Sequence, residues 1–135
     1  MPYIVLAAWI IQSAVGVSLF IGWLRHGHHG APTVITHVGS AIIGLALWIG
    51  FVITGALLPA WLAFAVITVG NSFGDVMLVR RHRRTAGATA SYGSAIGAVL
   101  RGRMPPRVLF HACFAGVVYF LCLGVSIGAT VAAAD

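Results

Sequence analysis

The stretch Pro32-Thr33-Val34-Ile35-Thr36-His37 returns 111 − 37 = 74 residues later as Pro106-Arg107-Val108-Leu109-Phe110-His111. The register holds without a gap through Ala41/Ala115, Leu47/Leu121, Gly50/Gly124 and Ile53/Ile127. Seven of 25 aligned positions are identical, where apolar composition alone gives roughly two or three. Proline and histidine carry most of that weight, because neither is common inside an apolar run. A weaker echo precedes each copy: Pro2 to Arg25-His26 resembles Pro59 to Arg81-His82, with a one-residue slip. This internal repeat reads as two tandem helical hairpins, each delivering one histidine at the same depth.

The chain has 135 residues, a mean hydropathy of +1.01 and only 7% charged residues. That is too little charge to cover a soluble globule of this size. Apolar runs at about residues 3–24, 33–57, 60–79 and 108–131 are each long enough to span a bilayer. Their short connections, His26–Pro32 and the Leu57-Leu58-Pro59 turn, force antiparallel neighbours. The expected fold is all-α: a single domain over 1–135, an integral membrane up-down-up-down four-helix bundle. Residues 85–105 form a Gly- and Ala-rich loop of low complexity in which Ser94–Leu100 is a candidate short surface helix. No positively charged segment precedes the first run, so it reads as a retained span rather than a signal peptide.

All eight basic residues are arginines. Arg25 follows the first run, and Arg80, Arg81, Arg83, Arg84, Arg101, Arg103 and Arg107 lie between the third and fourth. The turn at Leu57–Pro59 is uncharged. By the positive-inside rule both basic loops face the cytoplasm, and both termini lie outside a multi-pass protein of the cell membrane. The net charge of +6 then forms a one-sided rim suited to anionic lipids. No soluble domain presents it to nucleic acid.

The glycines of the spans, including the pair Gly124/Gly128, read as sites of tight helix packing. Cys113 and Cys122 fall on opposite faces of the fourth span and read as packing residues. A polar stripe of Thr68, Asn71, Ser72 and Asp75 in span three is expected to face the interior, met by Gln12 and Ser13 from span one. Asp75 is the sole intramembrane acid, and its expected partner is Arg80 or a histidine.

His37, Ala41, Gly44 and Trp48 share one stripe of span two; His111, Ala115, Val118 and Cys122 share one of span four. Two facing imidazoles suit the axial positions of one haem b. Ala41 and Ala115, one turn below, leave clearance for a flat ring, and Arg25, Arg80 or Arg107 stand ready for propionates. The Nδ1–H groups are expected to reach carbonyls one turn back, at Thr33 or Arg107. A zinc or copper site is the alternative, with His26, His28, His29 and Asp75 joining His37 and His111. A third reading needs no cofactor: the histidines are structural, and the chain is a scaffold or accessory subunit. No Gly-rich phosphate loop, His-Glu-x-x-His or Ser-x-x-Lys occurs, which favours an electron carrier or accessory subunit over a stand-alone enzyme. A carrier with one cofactor near one face needs a quinone, a soluble donor or a larger membrane redox complex as partner. Homo- and hetero-oligomeric states are both open.

The phrases from His37 to Trp48 and from Pro106 to Ala115 resemble small four-helix membrane proteins common in actinobacteria. The arrangement also resembles four-helix b-type cytochromes, in which histidines on facing helices hold haem. A more distant similarity is to copper-resistance D-type membrane proteins, whose histidine is followed by a tryptophan and paired glycines. Here Trp48 comes eleven residues after His37 and only Gly50 follows. The resemblance spans the second to fourth runs and implies a bundle with a haem between the histidines.

Overall fold

The computed structural model describes residues 1–26 and 29–134. Five helices follow in order: α1 (Pro2–Arg25), α2 (Ala31–Thr54), α3 (Leu57–Ala86), α4 (Tyr92–Leu100) and α5 (Pro106–Ala132). Four of them, α1, α2, α3 and α5, are long and apolar enough to cross a membrane.

Local chemistry sets the helix boundaries. Prolines open α1, α2 and α5 within the first two positions, where a missing N–H breaks no helical bond. Gly55 ends α2 with φ 70° and returns its N–H to the Phe51 carbonyl at 2.8 Å, a left-handed conformation that glycine adopts without strain. The turn between α2 and α3 is therefore Gly55-Ala56. The expected turn at Leu57-Leu58-Pro59 is instead the first turn of α3, because proline is tolerated there. At its other end α3 runs on to Ala86, beyond the expected limit near residue 79. Its 30 residues make it about 45 Å long, so the arginines project past the apolar segment. The short helix in the third loop begins at Tyr92, two residues earlier than expected, because the Ser91 hydroxyl caps the Ser94 N–H at 3.1 Å.

The long helices pack in a ring: α2 against α3 most extensively, then α1 against α5, α3 against α5 and α1 against α2. Among the described residues α1 does not pack against α3, nor α2 against α5 along their backbones, so those are the diagonals. Away from the arginine-rich end, Val5, Ala8, Trp9, Trp48, Phe51, Ala60, Ala63, Val118 and Cys122 form the core. Trp9 lies over Gly44, where a Cβ would meet its ring at 2.8 Å. The Trp48 indole N–H donates to the Pro2 carbonyl at 3.1 Å, so the buried ring leaves no donor unpaired. The outward faces carry exposed Ile10, Ile42, Ile43, Ile53, Leu62 and Phe120.

Two packing expectations change. On α3, Ala60, Ala63, Ile67 and Gly70 face inward, while Thr68 and Ser72 are exposed and Asn71 and Asp75 half-buried. The hydroxyls of Thr68 and Ser72 bond to the carbonyls of Phe64 and Thr68 on their own helix, and so need no interior partner. Gln12 accordingly meets α5 rather than the α3 stripe. Gly124 and Gly128 are exposed with nothing within 4 Å of an added Cβ; the glycines in close packing are Gly16, Gly44, Gly70 and Gly74.

Candidate functional site

His37 lies 37 − 31 = 6 residues into α2 and His111 lies 111 − 106 = 5 residues into α5. These helices are diagonal, so the imidazoles meet across the middle of the bundle. Their ring centroids are 6.0 Å apart and their planes are inclined by 73°. The stripes expected from sequence are in place: Gly44 and Trp48 continue inward below His37, and Val118 and Cys122 below His111. Ala41 and Ala115 are half-buried.

Each ring rests on a glycine from the other hairpin. A Cβ at Gly74 on α3 would stand 3.2 Å from His37 Cε1, and one at Gly16 on α1 would stand 3.1 Å from His111 Cε1. All four long helices therefore contribute at one level: two histidines on one diagonal and two glycines on the other.

One turn along the supporting helices the environments diverge. His37 Nδ1 pairs with the Gly70 carbonyl at 2.8 Å, on α3 and not with Thr33 on its own helix as expected. A carbonyl only accepts, so Nδ1 carries the proton and Nε2 of neutral His37 keeps its lone pair. At the other histidine, Gln12 Nε2 donates to the His111 backbone carbonyl at 2.9 Å. The His111 Nδ1 is buried without a hydrogen-bond partner among the described residues, as is Gln12 Oε1. The expected bond to Arg107 does not form. Two unpaired polar atoms in one buried place leave capacity for a further contact.

The remaining candidates are spread around the arginine-rich end. Arg80 Nη1 donates to Thr33 Oγ1 at 3.0 Å, tying α3 to the start of α2; Arg25 and Arg107 are exposed. His26 closes α1, with Nδ1 on the Gly22 carbonyl at 2.7 Å. The His29 backbone carbonyl accepts from Trp23 Nε1 at 3.0 Å. His28 lies outside the described residues. No group of three or more His, Cys, Asp or Glu comes together among the described residues; His26, His29 and Asp75 do not cluster there with His37 and His111.

Among the described residues Asp75 pairs neither with Arg80 nor with a histidine. Its Oδ2 accepts from the Tyr92 hydroxyl at 3.0 Å, because α4 folds back over the end of α3. Arg83 Nε, donating to the Ala90 carbonyl at 2.9 Å, holds the connecting segment in the same fold. The bond to the Asp75 carboxylate holds the Tyr92 phenol above its usual range, with smaller contributions from partial burial and the adjacent negative charge.

Reading the sequence did not single out Gly16, Gly70, Gly74 or Tyr92 for this site. A signal for the glycines was present: 74 − 16 and 70 − 12 both equal 58. The echo between first helices, aligned on Pro2/Pro59 and His26/His82, runs at 57 and 56, and the slip hides the equivalence. Tyr92 carries no such signal, since its contact depends on a loop closing.

No protein-family model, no curated protein and no solved structure matches this chain.

Proposed function

We propose that this chain is a multi-pass membrane four-helix bundle that holds one haem b between His37 and His111, near its arginine-rich end, for electron transfer alone or within a larger redox complex. The observation that carries the reading is the level at which imidazoles face each other on one diagonal while glycines stand on the other. With ring centroids 6.0 Å apart, His37 and His111 are close enough that both would be able to hold one haem, which takes histidine ligands.

A haem iron held by two histidines supplies reversible one-electron exchange. The chain's own groups have separable tasks. Gly70 orients His37 and leaves its Nε2 as the donor atom. The unpaired His111 Nδ1 and Gln12 Oε1 are a matched donor and acceptor, and turning one toward the other gives His111 the equivalent orientation. Ala41 and Ala115 keep the faces below the histidines slim. Arg80, beside the start of α2, and the exposed Arg25 and Arg107 offer cations to propionates. Outward Ile42, Ile53 and Phe120 suit lipid, and the arginine asymmetry puts the arginine-rich end in the cytoplasm and both termini outside.

The test is the absorption spectrum of protein purified from haem-replete cells. A low-spin Soret band that disappears in His37→Ala and in His111→Ala supports the proposal, and a colourless protein that takes up no hemin ends it. Zinc or copper bound in its place, lost on removing His26 or His29, would transfer the site to the metal reading. For topology, an Ala90→Cys variant labelled only from outside the cell would reverse the orientation.

One observation favours a structural role for the pair. The imidazoles already meet edge to face, and glycines pack against them at van der Waals distance. In that reading the histidines lock the diagonals of an accessory subunit, and hemin titration leaves the spectrum and the stability unchanged.

A further inference from the structure

Arg80, Arg83 and Arg84 stand at i, i+3 and i+4 near the end of α3 and so lie beside one another on the helix, while Arg81 does not line the depression that they form. With Ala88 the three line an open depression of about 430 Å³. Two of its walls are braced, Arg80 by Thr33 of α2 and Arg83 by the Ala90 carbonyl. Arg84 makes no hydrogen bond or ion pair with a described residue. Like charges at these spacings repel, and Asp75, the one acid among the described residues, is taken by Tyr92. Three cations thus come together with no anion beside them among the described residues.

We infer that this depression binds one phosphate group, carried by the headgroup of an anionic phospholipid. Guanidinium groups present paired donors that match phosphate oxygens, and three of them exceed the charge of a single phosphodiester. Depth selects the source. Arg80 lies 23 residues beyond Leu57, about 35 Å along α3, just past a hydrocarbon core of about 30 Å and therefore at headgroup level. The inference rests on the membrane reading and not on haem; a chain released from membranes by alkaline carbonate would sink that reading separately.

The experiment titrates the delipidated full-length protein in neutral detergent with phosphatidylglycerol, phosphatidylcholine or inorganic phosphate, read by native mass spectrometry. One phosphatidylglycerol should bind saturably, with phosphatidylcholine weaker by about tenfold because its choline cation meets the arginines. Arg84→Ala should weaken phosphatidylglycerol about five- to tenfold, Arg84→Lys should recover part of that, and Arg81→Ala should stay within about twofold. Equal losses in Arg81→Ala and Arg84→Ala, equal binding of the two lipids, or no saturable binding would overturn the site. Displacement of phosphatidylglycerol by submillimolar inorganic phosphate would overturn the lipid as its source.

Discussion

His37 rests on Gly70 and Gly74 of α3, and His111 rests on Gln12 and Gly16 of α1, at matching positions four residues apart on each supporting helix. At the first, the backbones come close: a Cβ at Gly70 would stand 3.1 Å from the Ser40 Cβ and 3.8 Å from the His37 carbonyl oxygen. The Gly70 carbonyl consequently reaches the imidazole. At the second, Gln12 places a side chain between α1 and α5, and its amide takes the His111 carbonyl. The His111 Nδ1 is left buried with no hydrogen-bond partner among the described residues. Matching positions of the repeat thus yield one oriented histidine and one with spare polar capacity. The helix opposite decides which.

Removal of either ring should have the largest effect. If both histidines serve one haem, His37→Ala and His111→Ala should each abolish the low-spin Soret band despite their unequal surroundings. Loss in one variant alone would mean that the two rings do not share a ligand.

Enlarging the small residues comes next. Gly74→Ala places a methyl against a ring already tied to Gly70, so it should cost about 1–3 kcal/mol of stability. In Gly16→Ala the His111 ring is free to move aside, and the loss should be smaller. Thermal unfolding in detergent reads both, and equal losses would erase the distinction. Ala41→Leu and Ala115→Leu should cost a similar overpacking energy and, if a flat ring lies below the histidines, also lower hemin affinity in titrations.

Gln12→Leu probes the unpaired side directly. It deletes a hydrogen bond but also removes a buried acceptor that has no partner, so stability should change by less than about 1 kcal/mol. A loss of several kcal/mol would show that Oε1 is satisfied in the working protein.

The smallest effect belongs to a contact confined to one half. At the offset of 58, Asp75 corresponds to Val17, so the bond from Tyr92 has no counterpart on α1. Because the Tyr92 pKa is raised on folding, its stabilising contribution is present below pH of about 10 and is lost as pH rises through the folded value. The half-exposed position keeps it well below 1 kcal/mol. Ultraviolet titration should show one tyrosinate that ionises late and vanishes in Tyr92→Phe; coincident curves would remove the latch.

Much of this site was legible in the repeat itself. A proline followed five residues later by a histidine places both rings at one level from the helix starts, because rise per residue is constant. The identity of what supports them was not, since Gly16 and Gly74 look like any packing glycines until a ring lies on them. The polar stripe of α3 misled for a related reason: hydroxyls one turn from a carbonyl bond to their own helix, so polarity alone did not mark the inward face.

Chain chemistry by itself determined the four apolar helices, their antiparallel succession and the concentration of arginine at one end. These follow from run length, loop length and composition, which act locally. Only the tertiary structure decided that α2 and α5 are diagonal, that His37 bonds Gly70 while His111 Nδ1 has no partner among the described residues, and that Asp75 turns to Tyr92. Those outcomes depend on which helices become neighbours and how closely their backbones approach, and that distance is set by side chains far apart in the sequence.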